Sequence, residues 1–362
     1  MYSKVKYNKN LIYKILKNGG LFLILIVFTF YFIFRDLDIE SVTKTILQIN
    51  VLYLFPAVAC MCIFILCEAI NIKRNLTVLG YKTTLIKCIN YSVNGFFFSA
   101  VTPSASGGQP MQVYQMHKNN IKISHSTLIL FIQLLFFQIV TIMYSIIGLF
   151  TEYSLLSNNI GSIKYLLIIG LISNFVVLGF LLLVIFCNST VNKIINVVIK
   201  FLKLCGFTKT ESISEKLNSI NKDYKEYSLF IIKNKIIIFK SFITVCIQIF
   251  ALHSIPYWVY CSFGLNGYSI LMFVGVQAVL FITVSALPLP GAVGASESGF
   301  LMLFKLFFPI SILNEAMILS RGISFYLFIL LSGAFLLIKW INDCKVYKEG
   351  MGYQKTKQAQ SF

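Results

Sequence analysis

Two short stretches of this sequence hold most of the residues suited to chemistry. In the first, Ser104-x-Ser106-Gly107-Gly108-Gln109 sets hydroxyls and an amide beside two glycines whose backbone N–H groups can turn freely. Pro110 follows, and proline suits the first turn of a helix, where a missing N–H is harmless. A helix over about residues 109–118 would present a glycine-preceded N-terminus, which favours an anion. The second stretch, Pro288-x-Pro290-Gly291-x-x-Gly294-x-Ser296-Glu297, also opens a helix. Farther on, Arg321 in Leu319-Ser320-Arg321-Gly322 could hold a phosphate through two parallel N–H donors.

Each of these residues has a plainer reading. The two stretches could be loops in which glycine serves only for turning. Glu297 could complement the positive end of its helix from the first turn. Arg321 could form a structural ion pair with Glu297 or Glu315. Glu68 and Lys305 are expected at an interface or snorkelling toward one. His117 and His125 are expected in surface loops, and with His253 also isolated, neither a metal site nor a catalytic triad is expected. The nine cysteines show no metal-ligand spacing. Cys60, Cys62, Cys67, Cys187, Cys246 and Cys261 lie in apolar runs, where free cysteine acts as a small hydrophobe. No disulfide and no cofactor is expected.

The elements that must position these residues are set by composition. Hydrophobic residues make up 57% of the 362 and charged residues 12%, with a mean hydropathy of +0.81; a soluble domain carries about 25% charge. The apolar residues fall in repeated runs near the roughly 20 residues that cross a bilayer. Full spans are expected at about residues 19–34, 51–72, 128–150, 165–187, 236–261 and 317–338. The first is an uncleaved helix rather than a signal peptide, since no small-residue cleavage site follows it. Residues 39–49 are expected along the interface. Two further apolar segments, 85–114 and 268–308, are each broken by one of the stretches above. The fold class is therefore all-α and polytopic, with about six full transmembrane helices and two Gly/Pro-broken segments.

Orientation follows from charge. The chain holds 31 Lys and Arg against 13 Asp and Glu, a net +18. Let each broken segment leave on the side it entered, and start the chain in the cytoplasm. Residues 1–19, 73–87, 117–125, 188–235 and 339–362 are then cytoplasmic and hold 25 Lys and Arg, against three in the outer loops, as the positive-inside rule requires. The first break enters from the cytoplasm and the second from outside, which points to inverted repeats meeting at a binding site. The expected organisation is a basic N-terminus (1–18), a membrane domain (19–340) with an amphipathic cytoplasmic loop (188–235), and a basic tail (341–362). So basic a chain suits anionic lipid here, and nucleic acid is not an expected partner.

At these residues the sequence resembles the transmembrane region of the lysylphosphatidylglycerol synthase family, the flippase-like or UPF0104 membrane proteins. The matching features are Phe96, Phe97 and Phe98 leading into Thr102-Pro103-Ser104-Ala105-Ser106-Gly107-Gly108-Gln109-Pro110-Met111-Gln112, then Leu287-Pro288-x-Pro290-Gly291-x-x-Gly294-x-x-Glu297, then Arg321. Order and spacing agree over about residues 15–340. Many relatives have an acid after Gly-Gly and an arginine three residues later, where this chain has Gln109 and Gln112. The resemblance implies binding or flipping of an anionic phospholipid or a polyprenyl-phosphate-linked lipid. Head-group contacts are expected from Ser104, Ser106, Gly107, Gly108, Gln109, Pro290, Gly291, Gly294, Glu297 and Arg321. In full-length relatives a cytoplasmic synthetase domain transfers lysine to phosphatidylglycerol; about 20 residues follow the last span here, so the chain is not expected to be that enzyme by itself. Other readings are a lysyltransferase by family name, and a non-transporting partner of a membrane glycosyltransferase. A homo-oligomer or a membrane enzyme partner is compatible with either. Richness in Ile, Lys, Asn and Phe suits an AT-rich bacterial genome, and the expected location is the bacterial cytoplasmic membrane with both termini inside.

Overall fold

In hydrocarbon every backbone N–H and C=O must find its partner within the protein, and a helix pairs them all in one segment. The computed structural model describes residues 49–151, 163–186, 233–285 and 287–339, with Lys44, Leu47 and Val197 individually. These residues form nine α-helices, with no strand among them. The expected span at 19–34, most of the interfacial stretch 39–49, both termini and nearly all of loop 188–235 lie outside the described residues.

The chain order is α1 (Leu54–Val78), α2 (Leu85–Val101), α3 (Gly108–Lys118), α4 (Ile123–Thr151) and α5 (Ile163–Phe186). Then come α6 (Lys235–Ser262), α7 (Ile270–Ser285), α8 (Ala295–Phe304) and α9 (Leu313–Arg321). The last runs on through a π turn, Gly322–Tyr326, into a helix that reaches residue 339. Five segments are long and apolar enough to cross a membrane: Val51–Val78, Ile123–Thr151, Tyr165–Phe186, Lys235–Ser262 and Ile310–Lys339. The shortest has 22 residues, about 33 Å of helix, against a hydrocarbon core of about 30 Å. These are the five expected spans that fall among the described residues. Side chains such as Ile172, Phe175, Val176 and Phe180 of α5 stay exposed, as a lipid-facing surface requires.

The packing repeats. α1 lies against α6, and the turns that break the two remaining apolar segments lie against each other. Around those central contacts, α1 with α2 is matched by α6 with α7, and α2 with α3 by α7 with α8. Likewise α3 with α4 is matched by α8 with α9, and α1 with α4 by α6 with α9. Two halves of like order are thus paired through equivalent helices. The matched packing makes the two halves repeats of one another.

Lipid gives helices no hydrophobic reason to associate, so close contacts rely on small residues and polar links. Gly148 of α4 crosses Gly275 of α7 so closely that a Cβ added at Gly148 would lie 2.6 Å from the Gly275 backbone. Nearby, Ser145 Oγ donates to the Ala278 carbonyl at 2.8 Å. Asn71 of α1 donates to Gln133 Oε1 of α4 (3.1 Å) and to the Ser241 carbonyl of α6 (3.2 Å), while Gln133 donates to Gln248 of α6 (3.0 Å). The second broken segment is anchored by aromatic rings: Phe300 stacks on Phe304 at 4.1 Å, and Phe273 of α7 on Phe307 at 4.4 Å.

Three local expectations need correction. The second span does not end at Ile72: α1 continues to Val78, and Arg74, expected in the cytoplasmic stretch 73–87, turns inward to Asn71 Oδ1 (2.7 Å) and Thr244 Oγ1 (3.0 Å). That polar network engages the guanidinium through Nη1 within the bundle, so the helix need not stop at the charge. His125 is not a loop residue. α4 begins at Ile123 rather than near 128, and His125 is 3% exposed with Nδ1 2.9 Å from the Tyr81 hydroxyl. Glu68 does not reach for an interface either; its partner is on α3.

Candidate functional site

The two breaks share one backbone form despite different sequences. Each starts with an extended residue, Thr102 (φ −111°, ψ 147°) or Leu289 (φ −99°, ψ 138°). A 3-10 turn follows with proline at its start, Pro103–Ala105 or Pro290–Ala292, and in each the next two residues take positive φ. They are Ser104 (50°) and Ala105 (54°) in the first break, Gly291 (57°) and Ala292 (52°) in the second. For Ser104, Ala105 and Ala292 that left-handed conformation costs about 1–3 kcal/mol each and persists only where surroundings enforce it. The enforcing contact is the packing of the two turns on each other.

The first break is closed by Thr102, whose Oγ1 donates to the Phe98 carbonyl (2.6 Å) and accepts from the Gly107 N–H (2.8 Å). Ser104 and Ser106 are exposed, and their hydroxyls make no hydrogen bond among the described residues. α3 starts at Gly108 with Gly107 before it and no side chain capping it. Its first amides, of Gly108 and Gln109, have no acceptor among the described residues, and Met111 N–H is the first to bond back, to Gly107 O. Uncapped amides at a helix N-terminus carry partial positive charge and suit an oxyanion.

In the second break, Glu297 takes both roles foreseen for it. Its Oε2 accepts from the Gly294 N–H (2.7 Å), capping α8, and its Oε1 accepts from Arg321 Nε (2.9 Å). Arg321 also donates from Nη2 to the Gly291 carbonyl (3.1 Å), and its guanidinium lies over the Phe325 ring, 4.4 Å from the centroid. Glu315, on the first turn of α9, is not its partner. Arg321 thus joins α9 to the turn of the second break. The pair is only partly shielded, with side-chain exposures of 15% for Arg321 and 16% for Glu297.

Of the ten residues expected to contact a head group, Gly291, Gly294, Glu297 and Arg321 form one bonded cluster, with Pro290 in the same turn. Ser104 shares a turn that packs on Pro290–Ala292, while Ser106, Gly107, Gly108 and Gln109 lead from it into α3. Ser296 is largely buried at the start of α8.

Two contributors were not foreseen. The Tyr326 hydroxyl donates to Glu297 Oε1 at 2.7 Å. Tyr326 is five residues after Arg321, which an α-helix would turn well away; the π turn, with Leu327 N–H bonded to Gly322 O, brings both to one side. The second is Gln112, whose Nε2 donates to Glu68 Oε1 of α1 at 2.6 Å. Gln112 marked a departure from relatives, but nothing in the sequence indicated which residue it would meet.

Bilayer-length helices packed around two broken helices that touch at their breaks define a polytopic helical membrane protein built from two similarly packed halves. The sequence model of the family described as "Lysylphosphatidylglycerol synthase TM region" matches residues 19–332, and the chain belongs to that family. It is also similar to a "UPF0104 membrane protein" of Archaeoglobus fulgidus. The two are 22% identical over 296 residues, covering 81% of this chain and 88% of the relative.

Proposed function

We propose that this protein is a lipid translocase acting on an anionic phospholipid or a polyprenyl-phosphate-linked lipid, whose head group it holds where the two breaks meet. The observation that carries the reading is the contact between turns Pro103–Ala105 and Pro290–Ala292, with Arg321 beside it. Uncapped amides of Gly108 and Gln109, the hydroxyls of Ser104 and Ser106, and the remaining donors of Arg321 form a convergent set for phosphate oxygens. Because Arg321 is held by Glu297 and the Gly291 carbonyl, its donors are oriented before the ligand arrives. That saves the entropy of ordering a long side chain on binding. Relative movement of the paired halves about the breaks would open the site to one leaflet and then the other.

The test is reconstitution in liposomes with fluorescent phosphatidylglycerol, read by chemical quenching of the outer leaflet. Protein-dependent exchange between leaflets is expected, with a loss of at least tenfold on Arg321→Ala. Exchange no faster than in empty liposomes, together with no retention of phosphatidylglycerol in native mass spectra, rejects the reading.

A further inference from the structure

Three carboxylates fall among the described residues: Glu68, Glu297 and Glu315. Glu297 is met by a guanidinium, a hydroxyl and a backbone N–H. Glu315 sits in the first turn of α9, half-exposed near the start of its span. Glu68 differs from both. It lies well inside span Val51–Val78, and its hydrogen-bond partner there is one neutral amide, Gln112 Nε2.

The charged and titratable groups on elements packed against α1 are engaged or remote. Arg74 bonds Asn71 and Thr244, and Arg321 and Tyr326 bond Glu297. Lys73, Lys87, Lys118, His117, Lys235 and Lys240 are exposed at helix ends. On α2, Cys88 and Tyr91 are buried in the separate cluster with Ala69, Ile72 and Leu76. On α4, His125 faces Tyr81, and on α6, His253 faces Phe281 and Cys246 packs with Val245 and Ile249. Within α1, Cys67 is a buried free cysteine on the neighbouring residue.

A carboxylate in hydrocarbon with one neutral donor is expensive, and an unpaired acid inside a span is a functional candidate. The partner chosen here is informative. An arginine would clamp the acid in its ionised form. A glutamine serves both forms: its NH2 donates to a carboxylate, and after the amide turns over, its carbonyl accepts from a carboxylic O–H. Glycine on the facing helix leaves the amide room for that exchange. Gln112 is 3% exposed and lies against Gly95 of α2, where any side chain would collide with it. One helical turn before Gln112 is Gly108, where the chain leaves the first break.

We infer that Glu68 is a proton-binding site within the membrane, loading and releasing H⁺ against the Gln112 amide beside the first break. Loading forms one O–H bond on the carboxyl, with the proton taken from hydronium and water left behind; release is the reverse. The site is coupled to the break because the amide that must turn over belongs to α3. Its chemistry does not depend on the lipid reading, but its use to drive lipid movement rests on that reading.

The test is infrared difference spectroscopy of the full chain in liposomes, taken between alkaline and acidic buffer. A protonated-carboxyl C=O band should appear on acidification, vanish in Glu68→Gln, and remain in Glu315→Gln. Gln112→Arg should abolish it as well, by clamping the carboxylate, and reports independently if Glu68→Gln does not fold. Absence of the band in the natural protein, or its persistence in Glu68→Gln, overturns the inference. In the same liposomes an imposed pH gradient should bias phosphatidylglycerol exchange in the natural protein and not in Glu68→Gln. A band without any lipid exchange would reject the lipid reading and leave the proton site standing.

Discussion

Arg321 Nε lies 2.9 Å from Glu297 Oε1, joining two residues that are 24 positions apart and belong to different helices. The same carboxylate caps α8 through Gly294 and receives the Tyr326 hydroxyl. One side chain therefore holds together the second break, the helix it opens and the π turn of the last span. Loss of either charge leaves the other partly buried without a counter-ion.

Glu297→Gln should lower stability in detergent by about 3 kcal/mol, the range for breaking a shielded ion pair. Adding Arg321→Gln should cost less than the sum of the two single changes, by about 1–3 kcal/mol, because the residues act as a unit. Denaturant titration of the four proteins measures this, and strict additivity would refute the coupling.

The crossing of α4 and α7 should be sensitive to one methyl group. Gly148→Ala or Gly275→Ala forces a Cβ to within about 2.6–2.7 Å of backbone atoms on the facing helix, and should destabilise by about 1–3 kcal/mol. Gly179→Ala in α5, where nothing lies within 4 Å of the added Cβ, should instead stabilise by up to about 1 kcal/mol. Thermal unfolding of the three variants separates these outcomes by sign.

At the breaks, backbone strain sets the expected pattern. Ala105→Gly and Ala292→Gly relieve a positive φ while loosening the unfolded chain, so both should stay within about 1 kcal/mol of neutral. Gly291→Ala keeps φ at 57° and drives a methyl into the Phe325 ring. It should weaken retention of phosphatidylglycerol in native mass spectra, and Phe325→Leu in the same chain should recover part of the loss.

In the network shared by α1, α4 and α6, Gln133→Leu removes the partner of Asn71 and of Gln248 at once. Each stranded polar group costs about 1–3 kcal/mol. The companion change Gln248→Leu should then restore stability rather than reduce it further, as read by the same unfolding measurement.

Much of this architecture was legible from composition. Runs of about 20 apolar residues must become helices in a bilayer, because no other segment pairs its own backbone there. The five described spans accordingly appear where expected. The breaks were equally legible, since a cluster of Gly, Pro and Ser inside an apolar run disfavours helix far more than the single Pro256 that α6 carries through. Helix ends were less so. Arg74 and His125 were assigned to water because they are polar, and both proved to sit inside helices with partners from distant segments.

The tertiary structure alone decided which residues meet. That Glu68 faces Gln112, that Glu297 rather than Glu315 holds Arg321, and that Tyr326 joins them are contacts between residues 24 to 44 positions apart. Periodicity and hydropathy act within a segment, so they determine that a helix forms there and is long enough to cross a bilayer. The rotation of each helix about its axis, and the π turn that resets it in the last span, depend on packing against neighbours. The two segments rich in glycine, proline and serine could be located in the chain by reading it. That they share one backbone form and rest against each other follows only from the way two halves of the molecule pair.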